Sequence, residues 1–185
     1  MDIKTYTQIY NTFKGKQMAS TIEDKLNSKL ITVYFSEVLD ACANKKTRAE
    51  RIDLLTKFRD KNKDNALIVQ KVMECLVHPM VDIDVPEGIP PHKDNQVTAI
   101  TDYNNAPTSL MKAFSHIPYF VKICKPYILS PQRRELHFIQ LIEGMYHRDA
   151  VLLCGLKDKK ITGFHGVNNQ LLIDAYGEKE TVGNE

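Results

Sequence analysis

The side chains best suited to chemistry in this 185-residue chain are cations at the ends of helix-like segments: Arg133, Arg134, Arg148, Lys157, Lys159 and Lys160. In a helical hairpin the start of one helix lies near the end of the next. Arg133 and Arg134 would then approach Lys157 to Lys160, and the merged patch could hold nucleic-acid phosphate. Two features weigh against that use. The stretch has no aromatic set on which bases could stack. A helix-turn-helix needs exposed base-reading side chains, and DAVLLCGLKDKK offers mainly apolar ones.

Other reactive types are dispersed. His78, His92, His116, His137, His147 and His165 form neither an H-E-x-x-H motif nor an i, i+4 pair. By the three-to-four rule Arg133, His137, Gln140 and Gly144 share one polar stripe, which suits a solvated face, a hydrogen-bonded interior seam or a ligand-facing surface. Cys42, Cys75, Cys124 and Cys154 form no C-x-x-C pair and sit in apolar contexts, so they read as buried, reduced thiols. Gly163-x-x-Gly166 lacks the Gly-Lys-Ser/Thr ending of a phosphate loop and reads as a turn between helices. No G-x-S-x-G, paired-carboxylate or Cys–His spacing is present. The expectation is a non-enzymatic protein with no cofactor and no metal.

Two segments are better suited to contacting a partner. In residues 1–19, Ile3, Tyr6, Tyr10 and Phe13 follow helical spacing and make an amphipathic arm whose apolar face must be covered by the domain, a second copy or another protein. Pro86-Glu87-Gly88-Ile89-Pro90-Pro91 disfavours helix and suits an extended, polyproline-like loop. Tyr6, Tyr10 and Phe13 in the arm and Pro86, Glu87, Pro90 and Pro91 in the loop are the candidate partner-binding residues.

Helical segments must position all of these. Thr21-Ile-Glu-Asp caps a helix expected to run toward Cys42, with Ser36 and Glu37 on its solvent side. Thr47-Arg-Ala-Glu50 is a capping box before a second helix, and Asn65 opens a third that stops at His78-Pro79. Residues 79–107 form a long loop in which Val81, Ile83 and Val85 alternate as a short strand, with Val97, Ala99 and Ile100 as a weak hairpin partner. Helix restarts at Thr108, with Pro118 expected to kink it near Ser115. Ser130-Pro131 pairs a cap with a first-turn proline. The helix behind it, with Leu136, Phe138, Ile139, Leu141, Ile142 and Met145, is expected to be central. A further helix carries Asp149 in its first turn and Lys157 to Lys160 at a solvated end, and a last one runs from Val167 to Tyr176.

With 43% hydrophobic and 26% charged residues, the composition is that of a soluble globular domain with a real core. The formal net charge of +2 argues for neither nucleic acid nor a membrane surface. Residues 81–120 are the acidic part, with two lysines against five Asp and Glu. No apolar run approaches the roughly 20 residues of a membrane helix, and the N-terminus lacks the apolar core of a secretory signal.

Three separated blocks carry a resemblance: PEGIPPHK, RRELHFIQLIEGMYHRDAVLLCGLKDKK and ITGFHGVNNQLLIDAYG. They are similar, in order, to a family of uncharacterised proteins encoded by T4-like tailed bacteriophages, over roughly Val33 to Gly177. Ile142 stands where that pattern has leucine, and residues 1–32 lie outside the similarity. The resemblance implies a phage origin and a setting in the cytoplasm of the infected host, or the virion. It implies no activity.

The expected fold is mainly α, a single-domain bundle of about seven helices with a long Pro-containing loop and a small β-hairpin at most. An arm (1–19) precedes a helical domain (20–177), and 178–185 form a disordered tail. The domain divides into a three-helix half (20–78), the loop (79–107) and a four-helix half (108–177). The expected function is binding of a phage or host protein, or self-association through the arm. The alternative is a nucleic-acid-associated protein using the basic helix ends, with no membrane partner.

Overall fold

The computed structural model describes residues 21–28, 31–90, 103–122 and 129–177. The arm with Tyr6, Tyr10 and Phe13, the loop residues Pro91 and Val97 to Ile100, Cys124 and the tail lie outside the described residues. Among those described, eight α-helices form one mainly α domain with no strand beyond isolated bridges. They are α1 (Ile22–Asn27), α2 (Phe35–Ala41), α3 (Arg48–Asp60), α4 (Lys63–Val77), α5 (Leu110–Phe114), α6 (Pro131–Glu143), α7 (His147–Lys157) and α8 (Asn169–Tyr176).

Local chemistry sets most helix starts. Thr21 and Asp24 satisfy each other's backbone amides, as do Thr47 and Glu50. Ser130 accepts from the Arg133 amide, with Pro131 at the first helical position. Asn62, not Asn65, caps α4, and Asn65 is instead buried and donates to the Phe58 carbonyl at 2.9 Å. The single helix expected from Thr21 to Cys42 is two. Ile31-Thr32-Val33 is a β-branched run that favours extended backbone. Glu37 then accepts from the Tyr34 amide to start α2 afresh. Lys61 holds the break by donating to the Lys25 and Ile31 carbonyls, each at 2.7 Å. This turns Ser36 inward, so its expected place on the solvent side is corrected: Ser36 is fully buried.

One core runs through the domain. Helix α8 packs on α3 and α4, and α7 on α2, α4 and α6. The enclosed helix is α7, not α6 as expected: Ala150, Leu152, Leu153, Cys154 and Leu156 are all buried. A helix apolar around its circumference belongs inside. Gly155 lets the following turn fold back tightly, since a Cβ there would lie 2.5 Å from the Lys160 carbonyl oxygen. Helix α6 buries Phe138, Leu141 and Ile142 but leaves Leu136 56% exposed, so it lies on the outside of α7.

The proline at position 118 ends a helix rather than kinking one. Helix α5 stops at Phe114 and Ile117–Tyr119 forms a separate 3-10 turn. The expected strand residue Ile83 is extended and buried, and among the described residues its partner is Val121, through an isolated antiparallel bridge. The Asp84 amide donates to Phe120 at 2.8 Å and the Lys122 amide to Asp82 at 3.3 Å. Pairing therefore crosses to the turn after α5.

Candidate partner-docking face

The segment from His78 to Pro90 is fixed to the domain by cations from the end of α7 and from α6. Helix α7 ends in a Schellman turn. The Lys160 amide donates to Gly155 and the Lys159 amide to Leu156, with Lys159 in the left-handed region at φ 57°. The turn sends three lysines in useful directions. Lys159 donates to the Cys75 and His78 carbonyls at 2.7 and 3.0 Å, capping the end of α4. Burial lowers the pKa of this ammonium. Lys157, 4% exposed, donates to the Pro86 carbonyl at 2.6 Å and pairs with Asp158. Lys160 pairs with Glu87 at 2.8 Å, and Asp158 accepts from the Gly88 amide at 3.0 Å. From α6, Arg134 pairs with Asp84 and donates to its carbonyl and to that of Leu129. The expectation of a solvated end for α7 is thus corrected at Lys157: its ammonium is the buried centre of a clasp.

The six candidate cations do not gather into one patch. Arg148 lies at the other end of α7, about 15 Å along an 11-residue helix. There it pairs with Asp40, donates to the Gly163 carbonyl at 2.9 Å and covers the Phe164 ring at 4.3 Å. Arg133 is exposed and faces a different groove. Gly163 and Gly166 both have positive φ, and their carbonyls accept from Arg148 and Arg51. The glycine pair is thus a turn held by arginines.

Beside exposed polar groups such as Asp82 and Glu87, the clasped stretch carries exposed hydrophobics. Val77, Met80 and Ile89 are 51%, 53% and 60% exposed, three large hydrophobics within 13 residues. Met80 also lines a groove of about 310 Å³ with Cys75, Val81, Phe114, Ile117 and Val121, and Lys71, Glu74 and His78 are among its polar neighbours. Lys71 pairs with Glu74 at 2.7 Å, which holds that carboxyl below its usual range. Among the candidate loop residues, Pro86 and Glu87 are exposed and Pro90 is half-buried. Burial pushes the thiols of Cys42, Cys75 and Cys154 up to about 11, so all three behave as small apolar groups.

Two polar clusters lie elsewhere; the sequence pattern pointed to the His137 side of the second and to nothing of the first. At the start of α7, Asp149 is 3% exposed and accepts from the Tyr103 hydroxyl at 3.2 Å; that hydroxyl also bonds to Ser36. Tyr34 stacks on Tyr103 with ring centroids 3.3 Å apart, and Tyr146 lies 3.9 Å from it on centroids. Burial raises the Asp149 carboxyl to about 6, against the lowering effect of the two hydroxyls. The Tyr103 phenol is raised far more, first by burial and then by Asp149. Asp149 also lines a cavity of about 250 Å³ reached past Tyr34, Lys61 and Ser109. On α6, His137 meets His116, ring nitrogen to ring nitrogen, at 3.2 Å. The contact brings part of the expected polar stripe, Arg133, His137 and Gln140, into one groove with His116 and Tyr119. Among the described residues no group of three His, Cys, Asp or Glu converges as a metal cage would require, and no helix is long and apolar enough to cross a membrane.

A family model, described as a family of unknown function (DUF6433), matches residues 38–163, more than half of the chain. The chain belongs to this family. The DUF6433 span includes the whole clasp, the apolar groove, the histidine pair and Asp149 with Tyr103, but neither Ser36 nor α8. No curated protein and no solved structure matches the chain.

Proposed function

We propose that this is a non-enzymatic protein of a T4-like bacteriophage, accessory or virion-associated, that works by binding a phage or host protein. The binding face is the clasped segment from Val77 to Ile89 together with the groove beside it. The observation that carries this reading is the concentration of Val77, Met80 and Ile89, all exposed, on a segment held in place by Lys157, Lys159, Lys160 and Arg134. An isolated exposed apolar side chain is ordinary, whereas three on one short held stretch, with Met80 also lining a groove, support an interaction surface. Rigid presentation also lowers the entropy lost on binding. The phage setting rests on the sequence resemblance, and with it the host cytoplasm or the virion as location. The N-terminal arm with Tyr6, Tyr10 and Phe13 remains a second contact for the partner or for another copy.

The nucleic-acid alternative has less behind it, because five of its six candidate cations are engaged within the domain. A gel shift at low salt with duplex and single-stranded DNA tests it, and salt-sensitive binding would favour it.

Affinity capture from infected cells tests the leading reading, using the full chain, Met80→Asp, and a chain lacking residues 1–19. Met80→Asp is expected to lose the partner while keeping the wild-type circular dichroism. Equal recovery of the same partner by both proteins would overturn the proposed face. Loss only on removing 1–19 would move the binding element to the arm.

A further inference from the structure

The groove against α6 holds a feature that protein docking does not use. His116 follows α5, and His137 lies in the middle of α6. Their Nδ1 and Nε2 atoms face each other at 3.2 Å, with ring centroids 5.3 Å apart. Two imidazole nitrogens bound to one tetrahedral zinc, each about 2.0–2.1 Å from it, lie about 3.3–3.4 Å apart. The two nitrogens therefore already stand close to the spacing of two corners of a metal's coordination shell. They are also braced: Tyr119 lies 6.0 Å from His116 and meets His137 edge-on at 5.7 Å, and Phe120 lies 5.4 Å from His137. Ring positions held by packing are what distinguish a usable ligand pair from two solvent-mobile histidines.

We propose that His116 Nδ1 and His137 Nε2 form a two-histidine binding site for a borderline divalent transition-metal ion, open on its remaining positions. The groove around the pair, about 380 Å³, supplies the room for those positions, and Gln140 and Arg133 line it. Among the described residues no carboxylate lines it, so hard oxygen-seeking ions such as Mg²⁺ and Ca²⁺ find too few of the oxygen ligands they need. Imidazole selects Cu²⁺, Ni²⁺ and Zn²⁺, with Cu²⁺ the tightest of the three. Two protein ligands leave two or more positions for water or for a donor from another molecule. The site is an open one, unlike the closed four-ligand cage of a structural zinc.

The facing nitrogens also fit a simple N–H···N hydrogen bond, and Arg133 would suit an anion, so the test separates three outcomes. Cu²⁺ and Zn²⁺ are titrated separately into the full-length protein, His116→Gln, His137→Gln and Arg133→Ala, following heat by calorimetry and, for Cu²⁺, the nitrogen hyperfine pattern in electron paramagnetic resonance. Glutamine keeps much of the volume and hydrogen bonding of histidine, and circular dichroism checks each fold. The expected result is one bound equivalent with two-nitrogen coupling, lost in either glutamine variant, and bound no more weakly after Arg133→Ala removes a nearby positive charge. Identical titrations for wild type and both glutamine variants would reduce the pair to a hydrogen bond and overturn the site. Inorganic phosphate binding that disappears with Arg133→Ala, in a protein that binds no metal at the pair, would overturn it in favour of an anion site.

Discussion

Helix α7 buries an ionisable side chain near each of its ends, and the two ends deal with it differently. At the C-terminal end the Lys157 ammonium is matched by the Pro86 carbonyl and the Asp158 carboxylate. Near the N-terminal end the Asp149 carboxyl is met by hydroxyl groups, and among the described residues no cation pairs with it. A buried charge with a partner ties distant pieces of chain together, because removing one member strands the other. A buried acid without one tends to take up a proton, which makes its environment sensitive to pH. The first arrangement builds the clasp under the docking face. The second pins Tyr103, where the described chain resumes after residue 102, onto α2 and α7.

The strongest test of this contrast removes the ammonium. Lys157→Ala leaves Asp158 and the Pro86 carbonyl without their buried partner, and breaking such a pair costs about 3–5 kcal/mol. Urea unfolding should show a loss of that size, and hydrogen exchange should show faster exchange at Ile83 to Ile89. A loss below about 1 kcal/mol, within the range of an exposed pair, would place the clasp among ordinary surface contacts.

Asp149 should respond to pH in the opposite sense to a salt-bridged carboxylate. Its folded pKa is raised, from 3.8 to about 6, so the folded protein holds the proton more tightly than the unfolded chain. The stability this contributes is fully present below about pH 4 and is lost as pH rises through about 6. The shift corresponds to about 3 kcal/mol across that window. Urea midpoints at several pH values should show this decline in the wild type. In Asp149→Asn, whose amide oxygen can still accept from Tyr103 and Ser36, that component of the decline should vanish. An unchanged pH profile in the variant would mean that the carboxyl keeps its charge at little cost.

Lys160→Ala gives the smallest effect. The Lys160–Glu87 pair is open to water on both sides, where solvent and salt screen the attraction. The urea midpoint should stay where it is in the wild type. A clear drop would show that the clasp depends on its rim as well as on Lys157.

The features legible in the sequence were those whose partners are three or four residues apart. The caps at Thr21, Thr47 and Ser130 are of this kind, as is the apolar side of α6 that holds Phe138, Leu141 and Ile142. The missed break between α1 and α2 was also partly local. Ile31-Thr32-Val33 is a readable β-branched signal, although Lys61 holding the Ile31 carbonyl is not. The exchange of roles between α6 and α7 was harder to see. Both segments are apolar enough to be central, and only packing shows which of them other helices surround.

By itself, then, the sequence determined a mainly α domain, most of its helix starts, the buried character of three described cysteines and the non-helical stretch from Pro86 to Pro90. These follow from backbone sterics, capping and hydrophobic period, all of which act over a turn or two of chain. The tertiary structure alone decided where the charges go. Lys157 and Pro86 are 71 residues apart, Arg148 and Asp40 108, and His116 and His137 21. Whether a lysine is a solvated helix end or the centre of a clasp depends on what folds over it, and no local pattern encodes that.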